Sequence, residues 1–153
     1  MFTRHFNSRV FDGDTIECKV DGFDCVARLE RDTDSGPPDK MWDGYWPSLD
    51  PKSAGYIGNK SQRTLARWQA AAQDVLDKWN NDEWHYYGVV VNVSKNGIQL
   101  TTDYHHACWG IEGNFPSKRK GNPNKYFRDV ANNNLIDALS EAKAKLAKLK
   151  EDA

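Results

Sequence analysis

Apolar and polar positions alternate on both sides of Asp21-Gly22. Counting outward, Val20 faces Phe23, Cys18 faces Cys25, Ile16 faces Ala27 and Asp14 faces Leu29, with polar or charged residues at most of the positions between. Asp-Gly is a strong two-residue turn signal because a type I′ turn needs positive φ at both central positions. Period-2 alternation in matched register predicts a half-buried antiparallel hairpin. Periodicity then vanishes over residues 32–59, where Gly36-Pro37-Pro38, Trp46-Pro47 and Asp50-Pro51 interrupt regular structure. The pattern returns with a period near 3.6 from Ser61 to Asn80. Leu65, Trp68, Ala72, Val75, Leu76 and Trp79 share one helical face, with Asn59 or Ser61 as the cap.

Residues 84–94 are aromatic and β-branched, as strands are, and Asn96-Gly97 turns the chain into a partner strand from Ile98 to Thr102. A third strand is expected at about 106–112, a loop at 113–124 and a final helix from about Tyr126 to Lys150. Leu135, Leu139, Ala142, Leu146 and Leu149 repeat along that helix, which predicts packing on a sheet rather than a dimer seam. The expected fold is one α+β domain over residues 1–153, an antiparallel sheet of about five strands with two packed helices in the order ββαβββα. The aromatic content of the 32–59 loop (Trp42, Tyr45, Trp46, Tyr56) predicts that it is ordered over the core.

Composition adds charge to this picture. The net charge of −1 hides a division: residues 12–50 hold eleven acids against four bases, a balance of −7. Residues 52–72 carry Lys52, Lys60, Arg63 and Arg67, and residues 117–128 carry Lys118, Arg119, Lys120, Lys125 and Arg128, neither with an acid. No apolar run approaches the roughly 20 residues that span a bilayer, so no membrane partner is expected. The first residues lack a signal peptide's apolar stretch, which points to the cytoplasm. Cys18, Cys25 and Cys108 form no Cys-x-x-Cys pair and are expected to be buried thiols.

Three groups of residues could carry chemistry. Lys118-Arg119-Lys120 with Phe115, Tyr126 and Phe127 mixes charge and rings as single-strand nucleic-acid sites do, and Arg63 and Arg67 near a helix start add an anion site. His105-His106-Ala107-Cys108, with Asp103 nearby, has donor atoms for a metal. Strand alternation would put His106 and Cys108 on one face and His105 on the other, so no metal and no cofactor are expected. The third group is Arg9-Val10-Phe11-Asp12-Gly13-Asp14-Thr15-Ile16, followed by Arg28-Leu29 and Asp32-Thr33.

That third group resembles the opening hairpin of the staphylococcal-nuclease (thermonuclease) family. The resemblance implies a calcium ion on Asp14 and Asp32 with help from Thr33, a phosphate on Arg28, and a calcium-dependent nuclease. Asp34-Ser35 stands where that family has Pro-Glu, so its general base has no counterpart. Gly44-Tyr45-Trp46-Pro47-Ser48-Leu49, Ala54-Gly55-Tyr56-Ile57-Gly58, Arg63-Thr64-Leu65-Ala66-Arg67, Asp82-Glu83-Trp84, Trp109-Gly110-Ile111-Glu112 and Val130-Ala131-Asn132 resemble small phage and prophage proteins. This second resemblance implies a non-enzymatic phage or mobile-element accessory protein that binds and blocks a host protein or nucleoprotein, for example a defence complex such as CRISPR. On this reading Trp42, Tyr45 and Trp46 are aromatic anchors, Arg63, Arg67, Lys118, Arg119 and Lys120 are further contacts, and the acidic 12–50 region imitates nucleic acid. A small nucleic-acid-binding module is the third expectation. The partner expected is a host protein or nucleoprotein, with monomer and dimer both left open.

Overall fold

The computed structural model describes residues 1–39, 46–117 and 120–153. The element order is β1 (Thr15–Val20), β2 (Phe23–Arg31), α1 (Gln62–Asn80), β3 (His85–Lys95), β4 (Ile98–Gln99), β5 (Ala107–Gly113) and α2 (Tyr126–Glu151). These form a five-stranded antiparallel sheet and two helices, an α+β fold in the expected order ββαβββα. The first hairpin has the register read from its alternation, with Val20 opposite Phe23, Cys18 opposite Cys25 and Ile16 opposite Ala27. Both tight turns are built alike: Asp21 (φ 51°) with Gly22 (φ 78°), and Asn96 (φ 51°) with Gly97 (φ 78°), the left-handed pair that a type I′ turn requires.

β3 is the central strand. β2 runs along one edge from Asp24 to Arg31, and the other edge is shared between β5 and the short β4. Tyr87, Val89, Val91 and Val93 point to the face covered by α2, where Phe127, Val130, Ala131, Leu135, Ala138 and Ala142 are buried. Leu139 and Leu146 pack against the same core, so the leucine repeat is used within the chain and only Leu149 is left exposed. β4 stops at Gln99, short of the expected Thr102, because side chains take over its hydrogen bonds. The Thr101 hydroxyl accepts from Val93 N (3.1 Å) and donates to Asn92 Oδ1 (3.1 Å).

Residues 1–10 complete the core without regular structure: Phe2, Phe6 and Val10 are all buried in it. Asparagine amides hold this segment as a neighbouring strand would. Asn132 accepts from Phe2 N (2.8 Å) and donates to Phe2 O (3.1 Å), and Asn114 does the same for Val10 (2.9 Å each way). The buried Asn124 donates to Ser8 O (2.8 Å) and accepts from Asn114 N (2.7 Å). Each pairing satisfies main-chain groups at the core edge that would otherwise be stranded.

α1 is capped by Ser61, whose hydroxyl accepts from Thr64 N. None of its residues is fully buried. Its apolar stripe meets the long loop instead of the main core: Pro38, Asp39 and Trp46 line one cleft with Ala72, Val75 and Leu76, and Gln69 donates to Pro47 O (2.9 Å). The buried Trp84 ties the helix to the sheet, its indole N–H donating to Val75 O (2.9 Å). The cysteines differ from the expectation. Cys25 is buried and Cys18 half-buried, but Cys108 is exposed because β5 is an edge strand with a solvent-facing side. No helix among the described residues is long and apolar enough to cross a membrane.

Gly113 sits where β5 passes under α2, and a Cβ there would lie 2.4 Å from the buried Tyr87 ring and 3.2 Å from Phe127. Neither ring has room to move. Gly113→Ala is therefore expected to lower unfolding stability by about 1–3 kcal/mol, the usual range for an overpacked core. Urea denaturation against wild type measures this.

Candidate functional site

The face of the sheet opposite α2 carries an aromatic and charged cluster. Gly88 of β3 leaves a slot that the Trp109 indole fills, since a Cβ on Gly88 would lie 2.2 Å from that ring. A register shift between Tyr87 and Val89 sets Trp109 over this slot. Tyr104 stacks on Trp109 (centroids 6.3 Å apart, planes at 21°), and the Arg28 guanidinium lies 5.5 Å from the Tyr104 centroid. Tyr104 and Trp109 are nevertheless 51% and 43% exposed, so the stack presents ring surface to solvent.

Charged groups lock the cluster. Arg28 pairs with Glu30 (3.1 Å) and Asp103 (3.4 Å), and the Tyr104 hydroxyl donates to Glu30 (2.9 Å). Asp103 is held below the ordinary carboxylate value of 3.8, chiefly by the Asn92 amide; desolvation opposes the shift and Arg28 adds to it. Beside Trp109 opens a cleft of about 490 Å³ lined by Glu30, Arg31, Asp32, Thr33, Asp34 and Ser35, with acids outnumbering the single base. The combination of exposed rings and carboxylates suits a basic partner surface.

The residues of the nuclease-like signature are placed as follows. Asp14 Oδ2 accepts from Phe11 N (2.9 Å) and shapes the turn before β1. Asp32 accepts from Asp34 N, Ser35 N, the Ser35 hydroxyl and Gly110 N, so both its oxygens are engaged by the protein. The two carboxylates line different clefts, Asp14 with His5 and Asn7, and Asp32 with Thr33 and Trp109. Arg28 is committed to Glu30 and Asp103, and Thr33 is an exposed cleft residue. In this arrangement both carboxylates order turns of the backbone.

The basic segments are elsewhere. A groove of about 620 Å³ is lined by Phe115, Lys120, Lys125 and Tyr126, the last 62% exposed. Arg63 and Arg67 are exposed on α1 and do not line this groove. Trp46 is exposed beside α1. Trp42, Tyr45, Lys118 and Arg119 lie outside the described residues.

Sequence reasoning missed Tyr104 and Trp109 as a pair, since Tyr104 lies in a turn before β5 and Trp109 at the bulge within it; the outward alternation of the third predicted strand was the available signal. It also separated His105 from His106. Both precede β5 in a turn where Tyr104 has φ +64°, so strand alternation does not govern them. Their rings are 4.8 Å apart and both meet Glu141 of α2.

Two measurements check this geometry. In Gly88→Ala the added methyl expels the Trp109 ring, which is free to swing outward, and the tryptophan fluorescence is expected to shift to longer wavelength with the fold intact. A carboxyl NMR titration is expected to find Asp103 below its ordinary value, and Asn92→Ala or Arg28→Ala is expected to raise it. Because the folded value is depressed, these contacts stabilise the protein above the unfolded value of 3.8 and stop doing so as pH falls through the folded one.

No family model, curated protein or solved structure matches the chain, so the functional reading stands on this geometry.

Proposed function

We propose that the chain is a non-enzymatic binding protein, of the kind phages and mobile elements use as accessory factors, which docks on and blocks a basic surface of a host protein or nucleoprotein. The observation that carries this reading is the exposed Trp109–Tyr104 stack, braced by Arg28 and bordered by Glu30, Asp32 and Asp34. Tryptophan and tyrosine dominate binding hot spots, and a rim of carboxylates steers a basic partner toward them. The carboxylates of the nuclease-like signature are engaged in turns, which favours binding over catalysis. The anchors on this reading are Trp109 and Tyr104, with Trp46 near α1 as a second exposed ring.

A second reading, a nucleic-acid-binding module, is favoured by the groove that sets Tyr126 and Phe115 beside Lys120 and Lys125. Rings stack on bases and lysines neutralise phosphates there, and such binding weakens steeply with salt.

The two readings separate in one experiment. The immobilised protein is exposed to host lysate at rising salt and, in parallel, to single- and double-stranded DNA and RNA with calcium, magnesium or chelator. The expected outcome is a retained protein partner, intact nucleic acid in every lane, and at least tenfold weaker retention by Trp109→Ala or Tyr104→Ala. Retention unaffected by either variant, or nucleic-acid binding abolished by Lys120→Glu with Lys125→Glu, sinks the leading reading. Cleavage that depends on calcium and on Asp14 revives the enzyme.

A further inference from the structure

We propose that His105, His106 and Glu141 form a binding site for a divalent transition-metal ion of the zinc class, joining the turn before β5 to α2. Ring nitrogens of the adjacent His105 and His106 and a carboxylate oxygen of Glu141, 35 positions beyond His106 in the chain, all lie within 4.8 Å of one another. Among the described residues this is the one such group of three or more potential ligands. Around a zinc-class ion with ligand distances of about 2.0–2.2 Å the three donors would be about 3–4 Å apart, so small side-chain rotations suffice. Imidazole with carboxylate is the donor set that late first-row divalent ions prefer over magnesium or calcium.

The surroundings orient these donors. Thr102 N (3.0 Å) and the Thr102 hydroxyl (3.2 Å) both donate to Oε1 of Glu141, leaving Oε2 to meet the two imidazoles. Such outer contacts on a ligating carboxylate fix its direction. The His106 carbonyl accepts from Val91 N (2.9 Å), which fixes one ligand to the central strand. His106 is nearly buried, whereas the His105 side chain is 64% exposed, so an ion can enter from solvent and complete its shell with water. Cys108 begins the exposed side of β5 and is not part of the group.

The test is a titration of the full chain with cobalt(II), read by its visible absorption, and with zinc by calorimetry and by thermal unfolding. Expected are one ion per chain, a tetrahedral or five-coordinate cobalt spectrum without a thiolate band, and a rise in melting temperature with zinc. His105→Ala removes an exposed side chain and tests the site without threatening the fold; Glu141→Gln keeps the shape of the clasp. Each is expected to weaken binding at least tenfold, while His5→Ala leaves it unchanged. Binding absent from wild type, equal to wild type in both His105→Ala and Glu141→Gln, or lost only in Cys108→Ser overturns the proposal.

Discussion

The structure depends on the hydrogen bonding of β3. This strand is buried on both faces over most of its length and serves β2 along one edge and β5 and β4 along the other. Valines suit it, because a strand covered on both sides can be continuously apolar. Its single glycine, Gly88, departs from that rule and admits the Trp109 ring from the edge strand, so the central strand supports the core on one face and the exposed ring stack on the other.

α2 and the N-terminal segment close the inner face together, and their joint is made of amides instead of a ladder. An asparagine side chain carries an N–H donor and a C=O acceptor like those of a peptide group, so Asn132 and Asn114 each imitate one residue of a missing strand. This explains how Phe2, Phe6 and Val10 are buried without secondary structure. It also ties the first residues to elements more than a hundred positions away, contacts of high sequence separation whose loop closure costs chain entropy.

How far the sequence spoke for the structure depends on distance along the chain. The first hairpin was legible residue by residue, because an Asp-Gly turn and the alternation beside it are local and agree. Both helices were legible for the same reason, although the periodicity of α1 said nothing of its partner, which is a proline-rich loop and Trp84. The early end of β4 was not legible, since it depends on one hydroxyl, that of Thr101, replacing a backbone partner. The candidate site was the least legible part. Tyr104 and Trp109 meet only because a bulge and Gly88 bring them together, and Glu141 meets the histidine pair only because α2 crosses the sheet. Asp14 and Asp32, prominent in a familiar-looking signature, cap backbone amides, a use that short polar side chains share across unrelated proteins.

The two borders of the sheet are finished differently. On one side the border is shared by the two-residue β4 and the seven-residue β5, which carries a bulge, and between them Val91 N of β3 is taken by the His106 carbonyl and Val93 N by the Thr101 hydroxyl. On the other side β1 is a six-residue border strand carrying Glu17 and Lys19. Short, charged borders resist the addition of foreign strands. A chain that displays bare tryptophan and tyrosine rings on an open face runs a risk of self-association, and its borders confine that risk to side-chain contacts, which are reversible, and away from backbone ladders, which lead to fibrils.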